Sequence, residues 1–125
     1  MKKTIGFIFL LIIIVGMTSL LQEKDYNGLI IGNWISEGCS TCIWSFYEDG
    51  KIERFHKGSL YKTYTYTINS EKSVNEKFTI WYLKLVNIDD SDDIYEYDII
   101  GLSKDTMRLD YTGDLNTKLT VFTKQ

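Results

Sequence analysis

Short runs of alternating apolar and polar residues, with turn residues between them about every ten positions, constrain this chain more than any other feature. They begin near residue 32 and continue to the end of the 125-residue sequence. Runs rich in aromatic and β-branched residues are typical of strands in an antiparallel sandwich or barrel. We predict eight strands, at residues 33–37, 42–47, 51–56, 60–68, 78–86, 95–102, 107–111 and 119–123.

The connections between these runs are too short for parallel neighbours. Glu48-Asp49-Gly50 ends in a residue that tolerates a positive φ angle, which is a strong hairpin signal. The longest connection, residues 69–77, is polar, and a parallel crossover needs about a dozen residues or more. Successive strands are therefore predicted to pair antiparallel, as an up-and-down meander.

Alternation also predicts which face of each strand is buried. In the fourth strand Tyr64 and Tyr66 share a face, and in the sixth Tyr95 and Tyr97 alternate with acidic residues. One apolar and one polar face per strand is typical of antiparallel sheets that have one solvated side. The fifth strand is apolar on both faces, so we expect residues 29–31, a partner chain or a bulge to cover or interrupt its outer face.

The chain begins with a different kind of segment. Met1-Lys2-Lys3 is basic, and residues 5–17 are almost entirely apolar, which is the layout of a secretory signal peptide. An uncleaved anchor is the alternative, because residues 5–21 form a helix of roughly 25 Å, just long enough for a bilayer. We assign residues 1–22 to the signal peptide or membrane anchor, 23–31 to a linker or short turn, and 32–125 to the domain.

This organisation predicts export across the cytoplasmic membrane, to the periplasm, the cell surface or the medium. The whole chain has a formal net charge of −3, and the exported part, which lacks Lys2 and Lys3, has a net charge of −5. An acidic domain lacks the basic patch that nucleic acids require, so we expect no nucleic-acid partner. Contact with a membrane is expected only through an uncleaved N-terminal segment.

Several motifs, taken in order, resemble small bacterial lipocalin-like proteins. Gly32-Asn33-Trp34 matches the G-x-W motif of lipocalins, and Trp44-Ser45-Phe46 followed by Glu48-Asp49-Gly50 is similar to their second strand and first hairpin. Residues 97–109 resemble their paired late strands. The resemblance covers residues 29–124 and implies an eight-stranded up-and-down barrel, with a small apolar ligand as an expectation. The family's late arginine, which packs on the tryptophan, has no clear match, since Arg108 lies on the predicted polar face.

Cys39 and Cys42 form a C-x-x-C motif with more than one plausible role. A redox pair needs a helix N-terminus to lower the thiol pKa, and zinc needs further ligands, of which only His56 is at hand. A disulfide suits an exported chain but requires a turn, because cysteines three apart in an extended strand lie roughly 10 Å apart. We expect a disulfide at a hairpin over residues 37–41, with two free thiols as the alternative.

No set of residues in the sequence matches a known catalytic centre. His56 stands beside Lys57 at a hairpin without a motif that supplies a nucleophile, so we expect an exposed residue. Residues 89–93 concentrate four carboxylates, but without the spacing of a Ca²⁺-binding EF-hand loop they predict a solvated hairpin tip. The expectation is therefore a protein that is not an enzyme and that uses no cofactor and no metal.

Eight aromatic residues are predicted to face the interior and are the candidate ligand-binding residues. They are Trp34, Trp44, Phe46, Tyr64, Tyr66, Tyr95, Tyr97 and Tyr111. An eight-stranded barrel is just wide enough to be filled by its own side chains or to hold one small ligand. Two hypotheses follow: a binding protein for a small apolar or amphipathic molecule, or a structural or interaction protein with a filled barrel. Trp34 is expected near the closed base in either case.

Overall fold

The computed structural model describes residues 25–75, 77–113 and 119–125, so the predicted signal segment lies outside the described residues. A short helix, α1 (Tyr26–Leu29), precedes eight strands. The strands are β1 (Gly32–Ser36), β2 (Cys39–Phe46), β3 (Lys51–His56), β4 (Ser59–Lys72), β5 (Thr79–Asn87), β6 (Ile94–Leu102), β7 (Thr106–Tyr111) and β8 (Thr120–Lys124). Within these ranges no helix has the length and apolar character needed to cross a membrane.

The eight strands form one closed antiparallel barrel. Each strand pairs with the next along the chain, and β1 closes the barrel by pairing with β8, where Trp34 lies opposite Lys124. The predicted all-β, up-and-down, eight-stranded fold is confirmed, as a barrel and not a sandwich. Closure pairs the edge strands, which an open sheet would leave exposed.

β4 is longer than predicted. β4 continues to Lys72, because residues 69–72 pair with residues 79–82 of β5 in place of forming a loop. The Tyr82 hydroxyl donates a hydrogen bond to the Glu71 carboxylate at 2.5 Å across this extension. Residues 69–72 of β4 are all solvent-exposed, so they show no alternation of apolar and polar residues that could have predicted this part of the strand.

Cys39 and Cys42 form a disulfide, with their Cα atoms 5.3 Å apart. The strand register explains how residues three apart on β2 approach each other. Ile35 pairs with Ile43 but Ser36 pairs with Cys39, so residues 40–42 bulge out of the ladder. The predicted disulfide is confirmed, and this bulge supplies the turn that it requires. Disulfides persist mainly in oxidising compartments.

Native protein should therefore contain no thiol that reacts with an alkylating agent before reduction. Closing so short a loop stabilises by about 2 kcal/mol on the chain-entropy model, because little unfolded-state freedom is removed. The double variant Cys39→Ser/Cys42→Ser should lose about that much free energy of unfolding. Mass spectrometry after alkylation, with and without reductant, and urea unfolding measure the two effects. Two alkylated cysteines in unreduced native protein would reject the bond.

The end of the barrel at which β1 begins, the base, is closed by α1 and Trp34. Trp34 is fully buried, and its indole Nε1 donates to the Ile30 carbonyl at 2.8 Å. The Lys124 ammonium lies 5.2 Å from the centroid of the indole and donates to the Leu29 carbonyl at 3.2 Å. The cation that packs on this tryptophan is thus Lys124, whereas Arg108 is exposed on the outer face of β7.

β5 is apolar on both faces, and one of these faces points into the barrel. Leu83 and Leu85 are fully buried in the barrel, and Trp81 meets Tyr26 of α1 with ring centroids 4.7 Å apart. Residues 29–31 pack against the core at the base. Of the three alternatives for the outer face of β5, cover by residues 29–31 and a bulge in its pairing are not found in the described part of the chain, and Phe78 beside that face stays 60% exposed. Cover by a partner chain stays a prediction.

Candidate functional site

The opposite end of the barrel, here called the mouth, is formed by the β1–β2, β3–β4 and β5–β6 connections. Four of the predicted tyrosines, Tyr64, Tyr95, Tyr97 and Tyr111, come together there. The ring centroids are 6.0 Å apart for Tyr64 and Tyr95, 6.4 Å for Tyr95 and Tyr97, and 5.5 Å for Tyr97 and Tyr111. Alternation along β4, β6 and β7 explains the cluster, because each residue lies on its strand's inward face.

Burial changes the acid–base properties of two of these tyrosines. Desolvation raises the pKa of Tyr97 to about 12, and the positive charge of Arg54 acts in the opposite direction. Desolvation and a hydrogen bond to Asp93 also raise the pKa of Tyr64. Both hydroxyls are therefore protonated at neutral pH; the Tyr64 hydroxyl donates to Asp93, and the Tyr97 hydroxyl can donate to a bound molecule.

The remaining predicted aromatics lie deeper in the barrel. Phe46 and Tyr66 pack edge to face with centroids 5.1 Å apart, towards the base and Trp34. The Tyr66 hydroxyl donates to a backbone carbonyl of the β2–β3 turn at 2.7 Å. Trp44 lies between these residues and the tyrosines of the mouth. Its ring centroid is 6.3 Å from that of Phe46 and 5.8 Å from that of Tyr97. A molecule entering at the mouth would therefore meet Trp44 and the four tyrosines first.

Arg54 is a residue of the mouth that the sequence-based set missed. It lies on β3 directly opposite Trp44 of β2, and its guanidinium carbon is 4.9 Å from the Trp44 ring centroid. The rings of Tyr61, Tyr64 and Tyr95 lie at 5.8, 5.7 and 5.6 Å. The Arg54 Nε atom is buried and has no hydrogen-bond partner among the described residues.

A period-two pattern in β3 could have identified Arg54. Ile52 and Arg54 are two residues apart and so share a face, and Ile52 is fully buried. An arginine in this position is easily assigned to the solvent side, because charged residues are almost never buried without a partner. The inward position of Arg54 can therefore be predicted only when the buried Ile52, which shares its face, is used to assign the inner face of β3.

A second polar cluster lies at the rim of the mouth, around Asp93. Its Oδ2 atom accepts hydrogen bonds from Lys62 Nζ at 3.0 Å, the Tyr64 hydroxyl at 3.1 Å and Asn87 Nδ2 at 3.0 Å. The hydrogen bond from Asn87, followed by that from Lys62, lowers the pKa of Asp93. Asp89, Asp90 and Asp92 are exposed, as expected for a hairpin tip, but the Asp93 side chain is only 19% exposed.

Asp93 should make the protein less stable in acid. Its folded-state pKa is lowered, so its stabilising effect is present above the ordinary aspartate value of about 3.9 and is lost as the pH falls through the lower folded value. Asp93→Asn should lower the melting temperature at pH 7 and make its decline below pH 4 less steep. Asp92→Asn, on the exposed tip, should do neither. Thermal unfolding between pH 2 and 7 measures this, and an unchanged acid limb in Asp93→Asn would contradict it.

A pocket of about 170 Å³ opens beside Arg54. It is lined by Cys42, Trp44, Arg54, Phe55, His56 and Tyr61. His56 is exposed, as predicted. The donor atoms of Cys39, Cys42 and His56 lie within 4.8 Å of one another, but the disulfide occupies both sulfurs, so no thiolate is available to a metal ion.

Comparisons of the chain with protein-family models, with curated proteins and with solved structures found no match. The closed eight-stranded antiparallel barrel is consistent with the resemblance to lipocalin-like proteins. Trp34 at a base closed by a short helix is consistent with it as well.

Proposed function

We propose that the chain is a lipocalin-like protein that binds a small apolar or amphipathic molecule at the mouth of its barrel, and that it is not an enzyme. The observation that carries this proposal is the contrast between the two ends. The base is packed around the fully buried Trp34, and its pocket of about 320 Å³ is lined mostly by polar and glycine residues around α1 and the β2–β3 turn. The smaller pocket at the mouth instead combines aromatic ring faces with polar donors. Small-molecule sites are typically concave and mostly apolar, with a few polar groups, and the mouths of barrels are frequent locations.

The proposal requires the mouth to enlarge when a drug-sized molecule binds. Its pocket of about 170 Å³ is smaller than the roughly 300 Å³ at which drug-sized ligand sites begin. Tyr95 and Tyr111 are only partly buried, and we propose that rotation of their side chains extends the pocket towards Tyr97. Their hydroxyls give the apolar wall a few hydrogen-bonding groups, which suits a ligand with one polar end.

Export is part of the proposal. The apolar segment at residues 5–17 follows a basic start, as in secretory signal peptides. The Cys39–Cys42 disulfide supports the same conclusion, because such bonds persist outside the reducing cytosol.

An interaction protein with a filled barrel is the second candidate. Two large apolar side chains support it, since Phe78 is 60% exposed and Ile100 on β6 is 58% exposed. Exposed apolar residues of this kind are common on protein surfaces when they stand singly, so they weigh less than the features of the mouth. A ligand-free mouth in native protein would favour this candidate.

Native mass spectrometry of protein purified from its own host tests the binding proposal. We expect an added mass that persists under gentle ionisation and is released when the protein is denatured. Protein refolded from denaturant is the matched control and should carry the polypeptide mass alone. If the host-purified protein also shows only the polypeptide mass, and host small-molecule extracts leave the refolded protein unchanged, the proposal is wrong.

A further inference from the structure

Arg54 is a cation without a counter-ion at the mouth. Within the described residues, the two ion pairs join Lys51 to Asp49 and Lys62 to Asp93, and neither involves Arg54. Asp93, the carboxylate at the rim, is already engaged by Lys62, Tyr64 and Asn87. The charge of Arg54 is therefore not neutralised by this neighbouring group.

The aromatic rings around Arg54 stabilise its positive charge but do not replace its hydrogen bonds. A guanidinium 4.9 Å from the centroid of Trp44 gains cation–π attraction. Ring faces do not replace the hydrogen bonds that a guanidinium makes in water, and the buried Nε is left without an acceptor. A buried donor without an acceptor destabilises the protein, because it has lost its hydrogen bond to water. An anion bound beside Arg54 would supply the acceptor oxygens that the guanidinium lacks.

We propose that Arg54 holds the anionic end of the ligand, so that the molecule bound at the mouth is a small amphiphile with a carboxylate group. This inference rests on the proposed binding function and specifies its ligand class. A guanidinium presents a planar fork of donors that matches the two oxygens of a carboxylate. The pocket beside Arg54 receives the head of the molecule, and its hydrocarbon part extends past Trp44 towards the tyrosines of the mouth.

The other polar groups around the pocket suit the same chemistry. His56 and Tyr61 line it and can each donate a hydrogen bond to a bound oxygen. The carboxylate of Asp93 is held by three donors, so its repulsion of an incoming anion is reduced. The outer Arg108, by contrast, is exposed on β7 away from these aromatic rings.

Isothermal titration of the mature protein with octanoate, octan-1-ol and octylammonium tests this inference, because the three probes share a chain and differ in the charge of the head. Octanoate should bind at least ten-fold more tightly than octan-1-ol, because charge-assisted hydrogen bonds are stronger than neutral ones, and octylammonium should bind more weakly than both. Arg54→Gln should bring octanoate to within about threefold of octan-1-ol. Arg108→Gln, the matched control, should bind all three as the wild-type protein does.

The outcomes separate the inference from the function on which it rests. Equal binding of octanoate and octan-1-ol by the wild-type protein would overturn the role of Arg54 and leave ligand binding intact. Binding of none of the three probes would overturn the carboxylate amphiphile and speak against the binding function as well. The wild-type comparison needs no variant to fold. Arg54→Gln is scored only if its circular dichroism spectrum matches that of the wild-type protein.

Discussion

Replacing Trp34 with alanine should lower the free energy of unfolding by about 4 kcal/mol. The indole is fully buried at the base, and its loss leaves a cavity that the closed barrel cannot easily collapse. It also leaves the Ile30 carbonyl without its donor and the Lys124 ammonium without the ring it packs on. Since small domains are stable by only about 5–15 kcal/mol, this one change removes a large part of the total.

Urea unfolding followed by circular dichroism measures this loss. Trp34→Phe is the informative control, because it keeps an aromatic ring and removes only the Nε1 donor and part of the volume, so its loss should be about half as large. A loss below about 1 kcal/mol for Trp34→Ala would show that the base is not a packed part of the core.

Alkaline pH should destabilise the protein through Tyr97. Burial raises the pKa of this tyrosine to about 12 in the folded protein, whereas tyrosines in the unfolded chain titrate near 10. The folded state therefore holds the proton more tightly. Its contribution to stability is fully present below pH 10 and is lost as the pH rises through 12, and the difference corresponds to roughly 2–3 kcal/mol.

Tyr97→Phe isolates this effect, because it keeps the ring that packs against Tyr95 and Tyr111 and removes the titrating hydroxyl. The variant should match the wild-type protein to within about 1 kcal/mol at pH 8 and should lose less stability between pH 10 and 12. Chemical unfolding at a series of pH values gives both quantities. An alkaline decline as steep in Tyr97→Phe as in the wild-type protein would mean that other groups account for it.

Much of the fold follows from the alternation of residues along the strands. Tyr95 and Tyr97 alternate with acidic residues, and the structure places both on the inner side of β6, as that pattern predicts. The connections are too short for parallel neighbours, so the antiparallel pairing of successive strands could also be predicted. The end of β4 could not be predicted in this way, because Asn69 and Glu71 form backbone pairs in a region where neither face is buried.

The residues missed at the two ends share one physical cause. Arg54 and Lys124 are both cations that pack on aromatic rings and form no ion pair with a carboxylate among the described residues, and Lys124 also donates to a backbone carbonyl. A single sequence shows charge but not the three-dimensional partner, so both residues look like ordinary surface positions. The Cys39–Cys42 disulfide was predictable as a pair, whereas the bulge that permits it depends on the register with β1.

The central claim is that a small molecule enters the mouth, and the three tryptophan side chains report on it directly. Trp44 lies beside Arg54 at the mouth, Trp34 at the base, and Trp81 beside Tyr26 of α1. In ¹⁵N NMR spectra, titration with octanoate or octan-1-ol should shift the Trp44 indole resonance and the amides of Arg54 and Tyr95, while the other two indoles stay in place. Shifts confined to the outer surface around Phe78, or no shift at all with either probe, would contradict the claim.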